Sequence, residues 1–398
     1  MKFPVDRDAL ADAGPSTTAA AGGHRMKFRV ERDAFADAVA WTARSLPARP
    51  AVPVLGGVLL AVDGTELTVS GFDYEVSTQA DVDVHTATAG RALVSGRLLA
   101  DITRALPPHP IDVAVDGPRV TIACGSTRFT LPTMPVEDYP TLPTMPTTAG
   151  IVDSAQFAQA VQQVAVAAGR DDTLPMLTGV RLEIEGEQLR LAATDRYRLA
   201  VRELLWKPEQ SGLNAAVLIP ARTLAESAKT LTAGSSVTLA LSAGGAGEGM
   251  IGFAGPNRRT TTRLLDAEFP KYRSLFPAEF ASTVDISVAP FVEAVKRVAL
   301  VADRGMPVRL ELGDGGLSLT AGGDDEGRAE EQVEVEYGGD PLTVGFNPTF
   351  LLDGLAAVHA PSARLSFVNA TKPAVLTGVD GDGVADYRYL IMPVRLPG

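Results

Sequence analysis

Polar chemistry in this 398-residue chain is densest at Thr194-Asp195-Arg196-Tyr197-Arg198, a run that interrupts an alternating apolar pattern. Leu189, Leu191 and Ala193 before it, and Leu199 and Val201 after it, alternate with Arg190, Ala192, Ala200 and Arg202, the period of two of a half-buried strand. The interruption admits two readings: a turn between strands with a solvated charge cluster, or a bend that displays Arg198 and Leu199 to a partner.

Catalytic patterns are scarce. The four histidines, His24, His85, His109 and His359, are scattered without metal-ligand spacing, and no serine sits in a Gly-x-Ser-x-Gly elbow. The run Ala243-Gly244-Gly245-Ala246-Gly247-Glu248-Gly249 lacks the Lys-Ser/Thr ending of a phosphate loop and leads into a strand, so it reads as a hairpin tip. Asp324-Asp325-Glu326 and Glu330-Glu331 have the chemistry to hold a divalent ion, with a solvated acidic loop as the simpler reading. Cys124, the single cysteine, excludes an intrachain disulfide framework and, lying in the apolar Val120–Cys124 run, is expected to be a buried thiol.

The elements that must position the 194–198 run emerge from internal repetition. A strand-then-helix pattern opens at Phe28, recurs at Ile151 and again at Val284. Each has an aromatic followed by apolar residues three and four positions on: Phe35 with Ala38 and Val39, Phe157 with Ala160 and Val161, Phe291 with Ala294 and Val295. Hairpins follow, aligned as 57–70, 179–192 and 307–320, with turns at Asp63-Gly64, Glu185-Gly186 and Asp314-Gly315-Gly316 that call for positive φ. A second helix then recurs at 95–102, 220–227 and 347–354, and each unit closes with further strands. Units of about 120 residues are whole domains and not solenoid turns.

The fold expected is therefore α+β in three similar domains, 26–148, 149–278 and 279–398, behind a flexible extension at 1–25. Within that extension Met1–Ala13 repeats Met26–Ala38 with three differences, then runs into a linker rich in Thr, Ala and Gly.

A net charge of −12 argues against a uniformly basic nucleic-acid coat but not against a local basic face. Arg97 and Arg104 share one face of the first unit's second helix, and Arg222 and Lys229 hold the aligned positions in the second unit. In the third unit those positions are Thr349 and Ala356, although Lys296 and Arg297 lie on its first helix. An ordinary solvated face, with Asp101 and Glu226 close by, is the competing reading. No apolar run reaches membrane-spanning length and the N-terminus lacks a signal-peptide core, so a cytoplasmic location is expected.

From Met26 to Leu396 the chain resembles the bacterial DNA polymerase III β subunit family, the replication sliding clamps. The resemblance is carried by Ala48-Arg49-Pro50 with Pro53-Val54-Leu55, by Thr194–Ala200, by Phe269-Pro270-Lys271-Tyr272 and by Tyr389–Leu396. The string Ser45–Leu55 looks like the actinobacterial branch. This resemblance implies a head-to-tail homodimer whose six domains close a ring, no active site, no cofactor and no metal. It implies sequence-independent binding of double-stranded DNA, with Arg49, Arg97, Arg104, Arg170, Arg222, Lys229, Lys296 and Arg297 as candidate contacts.

It also implies a groove that takes short linear peptides of the replicative polymerase, clamp loader and repair proteins. Its members here are Leu177, Thr194, Arg196, Tyr197, Arg198, Leu199, Pro270, Leu275, Leu390, Met392, Pro393, Val394 and Arg395. In that reading Arg198 holds a polar group or carboxylate of the peptide. Arg196-Tyr197 replaces a Gly-His common in the family, and Ser274 stands where an arginine often does. For the dimer contact the resemblance points to Phe129 and Leu131 against Leu300 and Val301, with core packing as the alternative. Two other functions remain to be weighed: a metal-dependent enzyme at the acidic loop, and a monomeric scaffold that uses only the groove.

Overall fold

The computed structural model describes residues 25–242, 249–303, 305–323, 327–380 and 383–396. The expected extension up to residue 24, the glycine-rich tip at 243–248 and the acidic triplet Asp324-Asp325-Glu326 lie outside the described residues. The chain forms two compact units. One takes the described residues up to Arg44 with Ala48–Val69 and Asp81–Tyr139; the other takes Ser45–Pro47, Ser70–Ala80 and the described residues from Pro140 onward.

Six helices of ten residues or more appear among the described residues: α1 Arg32–Arg44, α2 Gly96–Ala105, α3 Ser154–Ala165, α4 Ala221–Thr230, α5 Val288–Val298 and α6 Pro348–Ala357. They pack in pairs, α1 on α2, α3 on α4 and α5 on α6. The aromatic-led stripes face inward as their spacing requires, since Phe35, Phe157 and Phe291 are each at most 1% exposed. Starts are fixed by local chemistry. Asp153 accepts the Gln156 amide ahead of α3, and Asn347 accepts those of Thr349 and Phe350 ahead of α6, with Pro348 in the first turn where its missing N–H costs nothing.

In the first unit a five-stranded antiparallel sheet runs in the order His85–Thr88, Arg25–Val30, Ile111–Asp116, Arg119–Cys124, Thr127–Pro132. Alternation places Met26, Phe28 and Val30 inside. The Cys124 thiol is 1% exposed and donates to the carbonyls of Pro107 and His109, matching the expected buried thiol.

The second unit contains a nine-stranded antiparallel sheet ordered Asn214–Pro220, Gly179–Glu185, Gln188–Thr194, Arg198–Leu205, Gly383–Ile391, Ala374–Asp380, Ser362–Phe367, Ser282–Ser287, Glu336–Gly338. Its middle joins the second repeat to the third, because Arg198 faces Ile391, Leu199 faces Leu390 and Ala200 faces Tyr389. The same register recurs one repeat earlier, where Val76–Ala80 pairs with Arg258–Thr262. Gly186 and Gly316 take φ of 60° and 98°, as the hairpin turns demand.

Strands Gln188–Thr194 and Arg198–Leu205 depart from the half-buried expectation. Leu189, Leu191 and Ala193 lie in the main core with the helices, while Ala192, Leu199 and Val201 lie under Phe269, Tyr272 and Leu390 on the other face. Both faces are buried because the segment from Leu265 to Phe276 folds back over the sheet. Alternating Ala and Leu reads the same whether the second face meets water or a covering segment.

Candidate functional site

The 194–198 bend is held by its own side chains. Asp195 Oδ1 accepts the amides of Tyr197 (3.0 Å) and Arg198 (3.1 Å), while Thr194 Oγ1 donates to the Arg198 carbonyl at 2.7 Å and accepts the Arg196 amide at 3.3 Å. The tightness forces Arg196 to φ 81°, a left-handed backbone that favours glycine. The first repeat builds the same turn, with Asp73 Oδ1 accepting the amides of Glu75 and Val76 and Tyr74 at φ 76°.

Arg198 and Leu199 are not presented to solvent, which corrects the reading of a bend that displays them: they are 8% and 1% exposed. The Arg198 guanidinium turns inward. Nε donates to Asp195 Oδ2 at 2.9 Å, Nη1 donates to Asp353 Oδ2 at 2.5 Å, and the guanidinium carbon stands 4.4 Å from the centroid of the Phe350 ring. Burial opposes its charge, but Tyr389, Asp353 and Asp195 outweigh that and hold its pKa above the ordinary arginine value. An arginine already shared by two carboxylates and an aromatic face organises the site instead of waiting for a ligand's carboxylate.

What the bend does present is Arg196 and Tyr197. The Tyr197 ring is 61% exposed and stacks on Phe350 with centroids 6.2 Å apart and planes at 24°. Its carbonyl accepts the Met392 amide at 2.8 Å, which brings the C-terminal wall alongside, and Val394 continues that wall by donating to the Gly345 carbonyl. Met392, Pro393 and Val394 are half-buried and Arg395 is exposed. The floor is Leu199 and Leu390 over Phe269 and Tyr272, with Met392 and Phe276 packed at its edge.

Thr194, Arg198, Leu199, Leu390 and Met392 are thus gathered in one place. Leu177, buried, rides on a separate helical turn, Pro175–Thr178, and Pro270 and Leu275 are exposed on the covering segment. Phe350, Asp353 and Tyr389 were not singled out by sequence reasoning. The available signal was the failure of the basic pattern in α6, where Thr349 and Ala356 replace cations.

The covering segment is fastened by a charge network. Arg273 Nη2 donates to Glu183 Oε2 (2.6 Å) and Glu185 Oε1 (2.5 Å), Tyr272 donates to Glu183, and Arg181 and Arg190 approach the same carboxylates. Glu183 is 7% exposed. Burial pushes its carboxyl up, yet Arg273, Arg181 and Tyr272 together bring it down to about 2. Leu275 follows Arg273 by two residues in the same helical turn, so the network also places Leu275.

Among the candidate DNA contacts, Arg97, Arg222 and Lys229 are exposed on α2 and α4, and Arg49 and Arg170 are exposed in loops. Arg104 stands 3.3 Å from Asp101. Lys296 is paired with Glu293 at 2.8 Å, and Arg297 binds both oxygens of Glu331 at 2.9 and 2.5 Å, so the third repeat offers less uncompensated charge. Of the expected dimer residues, Leu131 is 7% exposed and Phe129 half-buried on the edge strand Thr127–Pro132, whereas Leu300 is 83% exposed after α5 and Val301 is half-buried. Among the described residues no three His, Cys, Asp or Glu gather as metal ligands, and no helix is long and apolar enough to cross a membrane.

The chain matches family models described as the DNA polymerase III beta subunit, N-terminal domain over residues 26–143, central domain over 151–271 and C-terminal domain over 273–395. It is 59% identical, over the full length of both chains, to a beta sliding clamp of Streptomyces coelicolor. It is 46% identical to the beta sliding clamp homolog GriR of Streptomyces muensis, with 99% of each chain covered. A solved DnaN sliding clamp (DNA polymerase III subunit beta) from Pseudomonas aeruginosa bound to griselimycin is similar with a TM-score of 0.86 at 30% identity, over 94% of this chain and 100% of that one.

Proposed function

The chain belongs to the DNA polymerase III beta subunit family, and from that premise we propose that the Tyr197 bend and the Met392–Arg395 tail are the two walls of its partner-peptide groove. The protein is a DNA sliding clamp, a processivity factor of the replicative polymerase. It binds DNA and polymerase partners, and rings of this family are dimers of three-domain chains. The observation that carries the groove is the apolar surface of Tyr197, Phe350 and Met392 set around a fully engaged Arg198. Such a surface takes aromatic and aliphatic anchors of a short peptide from the polymerase, clamp loader or repair proteins.

In the same reading the domains run 26–148, 149–278 and 279–398. The edge strand Thr127–Pro132 meets the Leu300 surface of a second copy, and the cations of α2 and α4 face the DNA phosphates. The chain is a non-catalytic accessory subunit of the polymerase, working in the cytoplasm on the nucleoid. Its work is topological, so diffuse charge suffices and base-reading side chains are unnecessary. The test is loading on circular DNA followed by linearisation. The protein should stay on the closed circle and slide off once the circle is cut, whereas retention on a linear duplex with free ends would overturn the reading.

A further inference from the structure

The sheet face under the covering segment changes character along its strands. At the groove Leu199 pairs with Leu390 and supplies apolar floor. Further along the same face the rows turn to charge, with Glu183 opposite Arg190 and Arg190 opposite Glu203 on three neighbouring strands. These side chains join into one ladder. Arg273 Nη2 donates to Glu183 Oε2 at 2.6 Å, Arg190 Nη1 donates to the same oxygen at 3.3 Å, and Arg190 Nε donates to Glu203 Oε1 at 2.9 Å. Arg388 Nη2 donates to that Glu203 oxygen at 3.3 Å, and its guanidinium carbon stands 4.7 Å from the centroid of the Phe276 ring. The ladder therefore leaves the covering segment at Arg273, crosses the adjacent strands that carry Glu183, Arg190, Glu203 and Arg388, and returns to the segment at Phe276. Between these two anchors lie Ser274 and Leu275, and Leu275 is 48% exposed.

Resting on the groove reading above, we propose that Arg190 is a positioning residue for the groove, which fixes both ends of the Arg273–Phe276 turn through Glu183 and Glu203 and so sets Leu275 against an incoming peptide. Its carboxylate partners, Glu183, Glu185 and Glu203, are not members of the groove, so it acts through the segment and not on the ligand. A guanidinium suits this task because its fork serves carboxylates on both neighbouring strands at once. Without it three carboxylates crowd one stretch of sheet face, and their repulsion bears on the two contacts that hold the turn.

The experiment uses the full chain and a fluorescein-labelled peptide containing leucine and phenylalanine, read by fluorescence anisotropy at a temperature where every variant is folded. Leu275→Ala, Met392→Ala and Arg190→Gln should each weaken binding by about fivefold or more. In the Arg190→Gln background Leu275→Ala should add less than about twofold, whereas Met392→Ala, on the opposite wall, should keep its full effect. Arg190→Lys, which keeps the charge, should lie between Arg190→Gln and the native protein. A general loosening of the fold would blunt both walls alike, so the difference between them is the signature of positioning. Native affinity in Arg190→Gln, an undiminished Leu275→Ala effect in that background, or a peptide that senses Met392→Ala but not Leu275→Ala overturns the proposal and leaves the groove standing. If Arg190→Gln does not fold, Glu203→Gln, which parts the ladder at the next strand, carries the same expectation and the same refutation. No binding by the native protein, or no loss from either Leu275→Ala or Met392→Ala, overturns the groove reading itself and the positioning with it.

Discussion

Arg198 and Asp353, 155 positions apart in the chain, meet with Nη1 2.5 Å from Oδ2, so the second repeat's bend and the third repeat's last helix share one ion pair. Its setting matters more than its length. The guanidinium lies 8% exposed over Phe350, and the strand that begins at Arg198 pairs residue by residue with Tyr387–Ile391. The pairing of these strands joins the second repeat to the third across one sheet.

Removing the cation leaves Asp195 and Asp353 facing each other across the space it filled. Arg198→Ala is therefore expected to destabilise the protein by about 3 kcal/mol, the scale for breaking a buried pair from one side. Urea unfolding followed by tryptophan fluorescence measures this, and a double cycle with Asp353→Asn should show the two changes to be strongly non-additive. A loss within experimental noise would mean that the pair has no structural role.

At the groove, Met392→Ala and Tyr197→Ala each remove an apolar wall without touching a charge. Each should weaken peptide binding by about 1 to 3 kcal/mol, as anchoring residues of small interfaces do, with little change in unfolding midpoint. Calorimetric titration with a leucine- and phenylalanine-containing peptide decides it; unchanged affinity in both variants would displace the site.

How much of this was legible beforehand depends on the kind of information. Helix stripes led by Phe35, Phe157 and Phe291 and the glycine turns at Gly186 and Gly316 are local, and the structure follows them. Arg198 was visible as a residue but not as a buried one, because its partner Asp353 and its platform Phe350 come from a distant helix. The covered second face of Gln188–Leu205 was hidden for the same reason: nothing in alternating Leu and Ala reveals that Phe269 and Tyr272 will lie across it.

Acid should loosen the covering segment before it melts the sheets. The Glu183 carboxyl is depressed in the folded state to about 2 from an ordinary 4.5, so its contribution is complete above about pH 4.5 and is lost as pH falls toward 2. The loss should approach about 2 kcal/mol, allowing for solvent screening of the exposed Arg273. Glu183→Gln should flatten the stability profile in that window; a profile with the same slope would assign the acid sensitivity elsewhere.

Charge on the second helices should matter more than charge on α5. Arg97→Glu and Lys229→Glu are each expected to shorten residence on circular DNA and to reduce the salt slope of binding by about 1. Arg297→Ala should do less, because Glu331 already neutralises that guanidinium. Equal effects at all three positions, or binding indifferent to salt, would count against the assignment of the cations to DNA.

The strand Arg198–Leu205 has neighbours on both edges and cover on both faces, and one wall of the groove grows directly from its first residue. A receptor built on such a strand has little freedom left to lose when a ligand arrives. The ordering entropy of association then falls almost entirely on the incoming peptide, so stiffening the peptide by a ring closure should raise affinity, whereas stiffening the protein should not.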